Sequence, residues 1–310
     1  MRRRKRPAVL SVVGLGFVAL FIVWLGYTLV YGILQLINFA HGDVFALTGL
    51  VASSLIVSTF NLDETSGALM IVGGLGATFL IAMVFGATVN ATIELVAYRR
   101  LRNAPRLAVL ITAVGMSFIV QNISLAFFDV NFRSVPSLVP DSDVFRIGGV
   151  HYSWQALFVV LVTAPVLVIL RWLVQHTRQG KAMRATAQDP EASAMMGINV
   201  NRTISFTFLL AGALAGIGAV LFLVEFNVRY DTGFELGLIA FTAAVLGGIG
   251  NLTGAVVGAL VIGFIQAFNE GLTWHTPGSD WTRSIVFGIL IAILVFRPEG
   301  LLGERTPEGA

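Results

Sequence analysis

The stretch Leu34-Gln35-Leu36-Ile37-Asn38-Phe39-Ala40-His41-Gly42-Asp43-Val44-Phe45-Ala46-Leu47 decides what kind of molecule this is. Apolar residues flank an Asn, a His and an Asp that fall within six positions of one another. In lipid such side chains are expensive, and they face a bundle interior or a wet cavity. Whether lipid is the solvent depends on the flanks. Apolar sequence continues on both sides, with candidate spans at 8–30, 34–59, 67–97, 107–127, 154–174, 203–224, 236–268 and 282–297. A helix needs about 20 mostly apolar residues to cross a hydrocarbon core of about 30 Å. The expected fold class is therefore all-α. It is a polytopic transmembrane bundle of about eight or nine membrane segments, two of them broken or re-entrant, in one transmembrane domain over 1–310.

Composition agrees. Of 310 residues, 56% are hydrophobic and 12% charged, and the mean hydropathy is +0.84. Soluble domains carry about 25% charged residues, so this chain cannot cover a globule of its size with charge. It is neither a soluble enzyme nor a disordered chain. The net charge of +3 comes from arginines at the ends of apolar runs. No basic face interleaved with aromatics marks a nucleic-acid partner, so the surroundings implied are membrane lipid. The absence of Cys removes disulfides and thiol chemistry. Arg2 to Arg6 precede an apolar run too long for a signal peptide, so 8–30 reads as a retained span.

Orientation follows from the basic loops. Tyr98 to Arg106 holds four arginines and no acid, and the loop 175–202 carries Arg178, Lys181, Arg184 and Arg202. Both are expected in the cytoplasm. The stretches 128–153 and 225–235, and the pair Asp63 and Glu64, read as outer. The N-terminus has two resolutions. Two full crossings between residues 8 and 60 place it outside; a broken or re-entrant segment there places it inside, where Arg2 to Arg6 belong.

The Asn38–Asp43 interruption has a counterpart at Gly247-Gly248-Ile249-Gly250-Asn251. Both are followed by helices rich in small residues, and corresponding breaks in two halves point to a transport pathway. Asn38, His41, Asp43, Gly247, Gly248, Gly250 and Asn251 are the candidates to line or hinge it. Asp43 also fits as an acceptor for backbone N–H groups at the start of the next helix. Gly212-x-x-x-Gly216 and Gly254-x-x-x-Gly258 read first as helix packing.

The cytoplasmic loop contains a short helix whose ends are written in sequence. Asp189 is a good N-cap, Pro190 suits the first helical position, and Glu191 favours the positive end of the dipole. Gly197 ends it where positive φ is tolerated. The body from Ala192 to Met196 is small and soft. A helix of about two turns is not stable alone in water, so it docks on something. The methionines at its end suit an adaptable contact surface.

What is missing narrows the energy source. Only two lysines occur, Lys5 and Lys181, and neither stands in a P-loop. His41, His151, His176 and His275 form no zinc pair, and no Ser has a nucleophile-elbow setting. No metal, cofactor or catalytic residue is expected, and the chain does not read as an enzyme.

Tyr31 to Asp43 resembles the N-terminal signature of the branched-chain amino-acid ABC transporter permeases of the LivH type. Phe241 to Asn251 resembles a second signature of that family. Glu94-Leu95-Val96-Ala97-Tyr98-Arg99, Gly115 to Asn122 and the loop Gly180 to Ile198 are similar to it as well. The resemblance runs in the family's order over most of the chain. It implies a second homologous permease chain, two cytoplasmic ATPase subunits, an extracytoplasmic solute-binding protein and a bacterial inner-membrane location. It also implies that Asp189 to Gly197 is the ATPase-coupling helix, with Arg184, Asp189, Pro190, Glu191, Ala192 and Gly197 as coupling residues. Permeases for urea or short amides share these motifs. An ion-coupled secondary transporter, with His41 and Asp43 as a proton site, is a rival of another class.

Overall fold

The computed structural model describes residues 26, 29, 30, 38–102, 104–140, 142–147, 150–248, 252–271, 279–296 and 300–302. The candidate span 8–30, apart from three of its residues, and the basic cluster Arg2 to Arg6 lie outside them.

The described chain is a helical bundle. Its helices are α1 (Ala40–Ser54), α2 (Ala68–Ile93), α3 (Arg106–Phe128), α4 (Trp154–His176) and α5 (Arg178–Gln188). They continue with α6 (Pro190–Met195), α7 (Val200–Leu223), α8 (Thr232–Gly247), α9 (Leu252–Gly271) and α10 (Ser279–Phe296). A π turn, Leu55–Thr59, extends α1, and another, Glu94–Tyr98, extends α2. Among the described residues, five helical stretches are long and apolar enough to cross a membrane: Ala40–Thr59, Ala68–Leu101, Ile111–Phe128, Trp154–His176 and Val200–Leu223.

Those five divide by burial. The apolar windows of Ala40–Thr59 and Val200–Leu223 are 78% buried, and the other three are 22% buried. Thus α1 and α7 form the centre, and α2, α3 and α4 turn apolar faces outward. Leu69, Val72, Leu80 and Val84 on α2 and Leu161, Val168 and Ile169 on α4 are exposed. A soluble fold would leave no such surface uncovered. Such a face suits contact with lipid.

Packing between the central helices relies on small residues, since lipid supplies no hydrophobic drive between helices. Gly86 on α2 faces Gly212 on α7 so closely that a Cβ on either would collide with the other's carbonyl. Gly216 meets the Ala82 backbone in the same way. Several hydroxyls buried in the spans are satisfied locally. Thr48 donates to the Val44 carbonyl at 2.6 Å and Thr78 to that of Gly74 at 2.8 Å.

Three stretches refine the expectations. The stretch 236–268, expected to be broken or re-entrant, is two helices. It folds back as α8 and α9, with Gly258 packed on the Ala243 carbonyl and the Gly247 backbone. The Asn38–Asp43 interruption is not a break throughout, because helix α1 begins at Ala40 and includes His41, Gly42 and Asp43. The loop 128–153 carries regular structure of its own, since β1 (Asp143–Ile147) and β2 (Val150–Ser153) form an antiparallel hairpin. Ser153 then caps α4, accepting from the Ala156 N–H at 3.3 Å.

Candidate substrate pathway and coupling loop

The first turn of α1 sits at the middle of the bundle. His41 and Asp43 are fully buried and Asn38 nearly so. Asp43 does not cap its helix. Its carboxylate accepts hydrogen bonds from the Ser117 hydroxyl and from the Gln121 amide, the latter at 3.1 Å. Ser117 and Gln121 are one turn apart on α3, so both aim at the same point. Asp43 therefore ties α1 to α3.

Asn38 works toward the opposite side. Its amide donates to Asn90 at 3.3 Å, and Asn90 donates to the Phe208 carbonyl of α7 at 2.7 Å. The Tyr98 hydroxyl donates to Asn38 Oδ1 at 3.0 Å. One residue before α1 thus gathers α2 and α7. His41 lies against Gly26, where a Cβ would run into the imidazole.

The first turn also touches α8. Gly42 and Gly233 approach so closely that a Cβ on either would strike the other's carbonyl, and Phe39 packs on Phe241 with ring centroids 6.0 Å apart. The second break lies farther along. Ten residues separate Gly237, beside Gly42, from Gly247, which is about 15 Å of helix. Gly247 therefore lies well beyond the contact of Gly42 with Gly237. Gly250 and Asn251 lie outside the described residues.

What Gly247 and Gly248 meet is the segment after α10. Leu301 N–H donates to the Leu246 carbonyl at 2.8 Å, and Leu302 N–H to that of Gly247 at 3.0 Å. These are carbonyls that a helix end leaves without partners. Gly248 has φ +108 and Gly300 φ +78, so both need the left-handed region, and a Cβ on Gly300 would strike the Gly248 backbone.

In the loop, the short helix forms as its ends dictate. Asp189 Oδ1 accepts from the Glu191 and Ala192 N–H groups, both at 2.9 Å, ahead of Pro190. At the other end Gly197, with φ +84, donates to the Ala194 carbonyl and Ile198 to that of Ser193, both at 3.0 Å. That pair of bonds is a Schellman closure. Ser193 is buried, while Met195 and Met196 are 82% and 83% exposed.

The sequence reading missed α5. Thr177 caps it, accepting from the Gly180 N–H at 3.0 Å, and Gly180, Met183 and Thr186 form its buried face. A threonine three residues before the first buried position was the available signal. Arg184, assigned to coupling, donates to the Val174 carbonyl at the end of α4. It holds α5 onto the bundle through that contact. The reading also missed Ser117, Gln121, Asn90 and Tyr98, although two of the quoted motifs contain three of them.

Comparison with known proteins bears on this arrangement. A family model described as branched-chain amino acid transport system / permease component matches residues 10–295. The chain belongs to that permease family. It is 37% identical over 291 residues to the high-affinity branched-chain amino acid transport system permease protein BraD of Pseudomonas aeruginosa, covering 93% of this chain and 92% of that one. It is 34% identical over 294 residues to the permease protein LivH of Escherichia coli, with the same coverage of each chain. It is 26% identical over 297 residues to a probable branched-chain amino acid transport permease protein LivH of Methanocaldococcus jannaschii, covering 90% of this chain and 87% of that one. The permease is thus a helical membrane protein of a transport family, and not an enzyme.

Proposed function

We propose that this permease forms the translocation pathway of a binding-protein-dependent ABC importer for branched-chain amino acids in a bacterial inner membrane. The observation that carries the substrate class is the near full-length likeness to permeases named for branched-chain amino acids. On this reading it pairs with a second homologous permease chain, two ATPases bind its cytoplasmic face, and an extracytoplasmic protein delivers the solute. It has nine membrane segments: the sequence span 8–30 together with α1, α2, α3, α4, α7, α8, α9 and α10.

The energising contact is α6. Asp189, Pro190, Glu191, Ala192 and Gly197 shape a rigid two-ended helix that presents Met195 and Met196 to an ATPase groove. Arg184 fixes α5 beneath it. Movement of this helix by ATP binding and hydrolysis switches the spans between outward and inward openings. Asn38, His41 and Asp43 hold the pathway side of α1, and Gly247, Gly248, Gly250 and Asn251 hinge the turn between α8 and α9.

Reconstitution with the partner subunits tests this. Labelled leucine uptake should require ATP, persist with an uncoupler, and fall together with ATPase co-purification in Glu191→Arg and Gly197→Val variants. Normal uptake and normal co-purification in both variants would remove the coupling assignment. Uptake abolished by the uncoupler while ATP is present would favour an ion-driven carrier instead.

A further inference from the structure

The inner end of α2 carries an ion cluster that neither the first turn of α1 nor the docking helix uses. Glu94 is fully buried. One of its carboxylate oxygens meets Arg99 Nε at 3.4 Å and also meets the Arg102 guanidinium. The other accepts from the Ser205 hydroxyl at 2.7 Å. Arg99 donates to Ser205 Oγ at 2.7 Å, and Arg102 donates to the Asn201 side chain. Burial lowers the Arg102 guanidinium from its ordinary range, and the Glu94 carboxylate beside it opposes that shift.

Two features of its placement matter. Asn201 and Ser205 are one turn apart at the start of α7, and only Met196 to Asn199 separate α7 from the end of α6. Asn199 caps α7, accepting from the Arg202 N–H at 3.0 Å. Any tilt of α6 therefore reaches the first turns of α7 directly. Glu94 itself opens the π turn Glu94–Tyr98, whose geometry buries Glu94, Ala97 and Tyr98 together. Such turns are frequent at functional sites. At its other end Tyr98 donates to Asn38, just before α1. The route from α6 to the start of α1 thus runs through the short link into α7, the Ser205–Glu94 hydrogen bond, the π turn Glu94–Tyr98 and the Tyr98–Asn38 hydrogen bond.

A buried ion cluster is a poor way to gain stability, because desolvating its charges offsets most of their attraction. Charged hydrogen bonds with defined geometry do hold two elements in a fixed relation. We propose that the Glu94–Arg102–Ser205 cluster is the transmission joint that passes movement of the docking loop to the start of α1. Glu94, Arg102 and Ser205 are positioning residues here, and the inference rests on the ABC-importer reading above.

The test uses the importer reconstituted in liposomes with its partner permease, ATPases and binding protein. Complex yield, ATP hydrolysis and solute uptake are measured for Glu94→Gln, Arg102→Gln, Ser205→Ala and Ser205→Thr. Glu94→Gln, Arg102→Gln and Ser205→Ala should assemble and hydrolyse ATP, yet move about five- to ten-fold less solute per ATP, a coupling loss of ordinary size. Ser205→Thr, which keeps the hydroxyl, should restore the ratio. If yield and uptake fall together while solute per ATP stays constant, the cluster only staples α2 to α7 and the proposal is wrong. Unchanged behaviour in all variants overturns it equally. Failure of the wider reading would look different, since the unsubstituted chain would then neither bind ATPases nor import with ATP.

Discussion

Asp43 is the residue on which the central polar contact turns. A carboxylate at membrane depth is tolerated when donors meet it, and Ser117 and Gln121 are those donors. Ser117→Ala leaves one buried oxygen with a donor missing. The expected cost is about 1–3 kcal/mol, read as a lower thermal midpoint of the detergent-purified protein. An unchanged midpoint would mean that Asp43 finds another donor. The polar character of 38–43 was plain from the sequence. Its partner was not, because Ser117 lies 74 positions away and a serine in an apolar helix carries no mark of what it will meet. Asp43 as a capping residue was a reasonable local expectation, and a tertiary contact displaced it. At Asp189 the local expectation held, since the acceptor and its two N–H groups are within three residues. Asp189→Ala should cost α6 about 1 kcal/mol, and the check is whether less ATPase co-purifies at equal permease yield.

Among the elements, α2 and α7 depend on each other most. Their backbones meet at Gly86 and Gly212 and again at Ala82 and Gly216, leaving no room for a side chain. Gly212→Leu must push the helices apart and strain the Asn90 bond to the Phe208 carbonyl one turn earlier. Overpacking of this kind costs about 1–3 kcal/mol, and it should appear as a reduced amount of folded permease in membranes. Wild-type yield and midpoint for this variant would contradict the close approach. The Gly-x-x-x-Gly spacing announced a packing face but did not name the helix that fills it. Whether 236–268 breaks or folds back was left open for a related reason. A long apolar stretch with a glycine break looks the same whether the chain continues through the membrane or reverses.

For the whole molecule, the central pair and the outward apolar faces define an inside and an outside without a water-soluble surface around the spans. Val168 on α4 is 68% exposed and sits in the middle of its helix. Val168→Arg should cost about 2.5–3.5 kcal/mol of insertion free energy, while Val168→Leu should be neutral. Membrane-integrated yield of the two variants compares them directly. Equal yields would place that face against water or a polar partner.

The sequence by itself determined that the chain is a helical membrane protein, where most spans lie, and how α6 begins and ends. Hydrophobic length and helix capping are properties of consecutive residues, so they can be read locally. Only the tertiary structure decided which spans are central, that 236–268 reverses, and that 300–302 closes the end of α8. It alone joined Asp43 to Ser117, Asn38 to Asn90 and Glu94 to Ser205. In lipid every helix is apolar all round, so pairing is chosen by small-residue fit and by single hydrogen bonds between distant positions. Those choices have no period in the sequence.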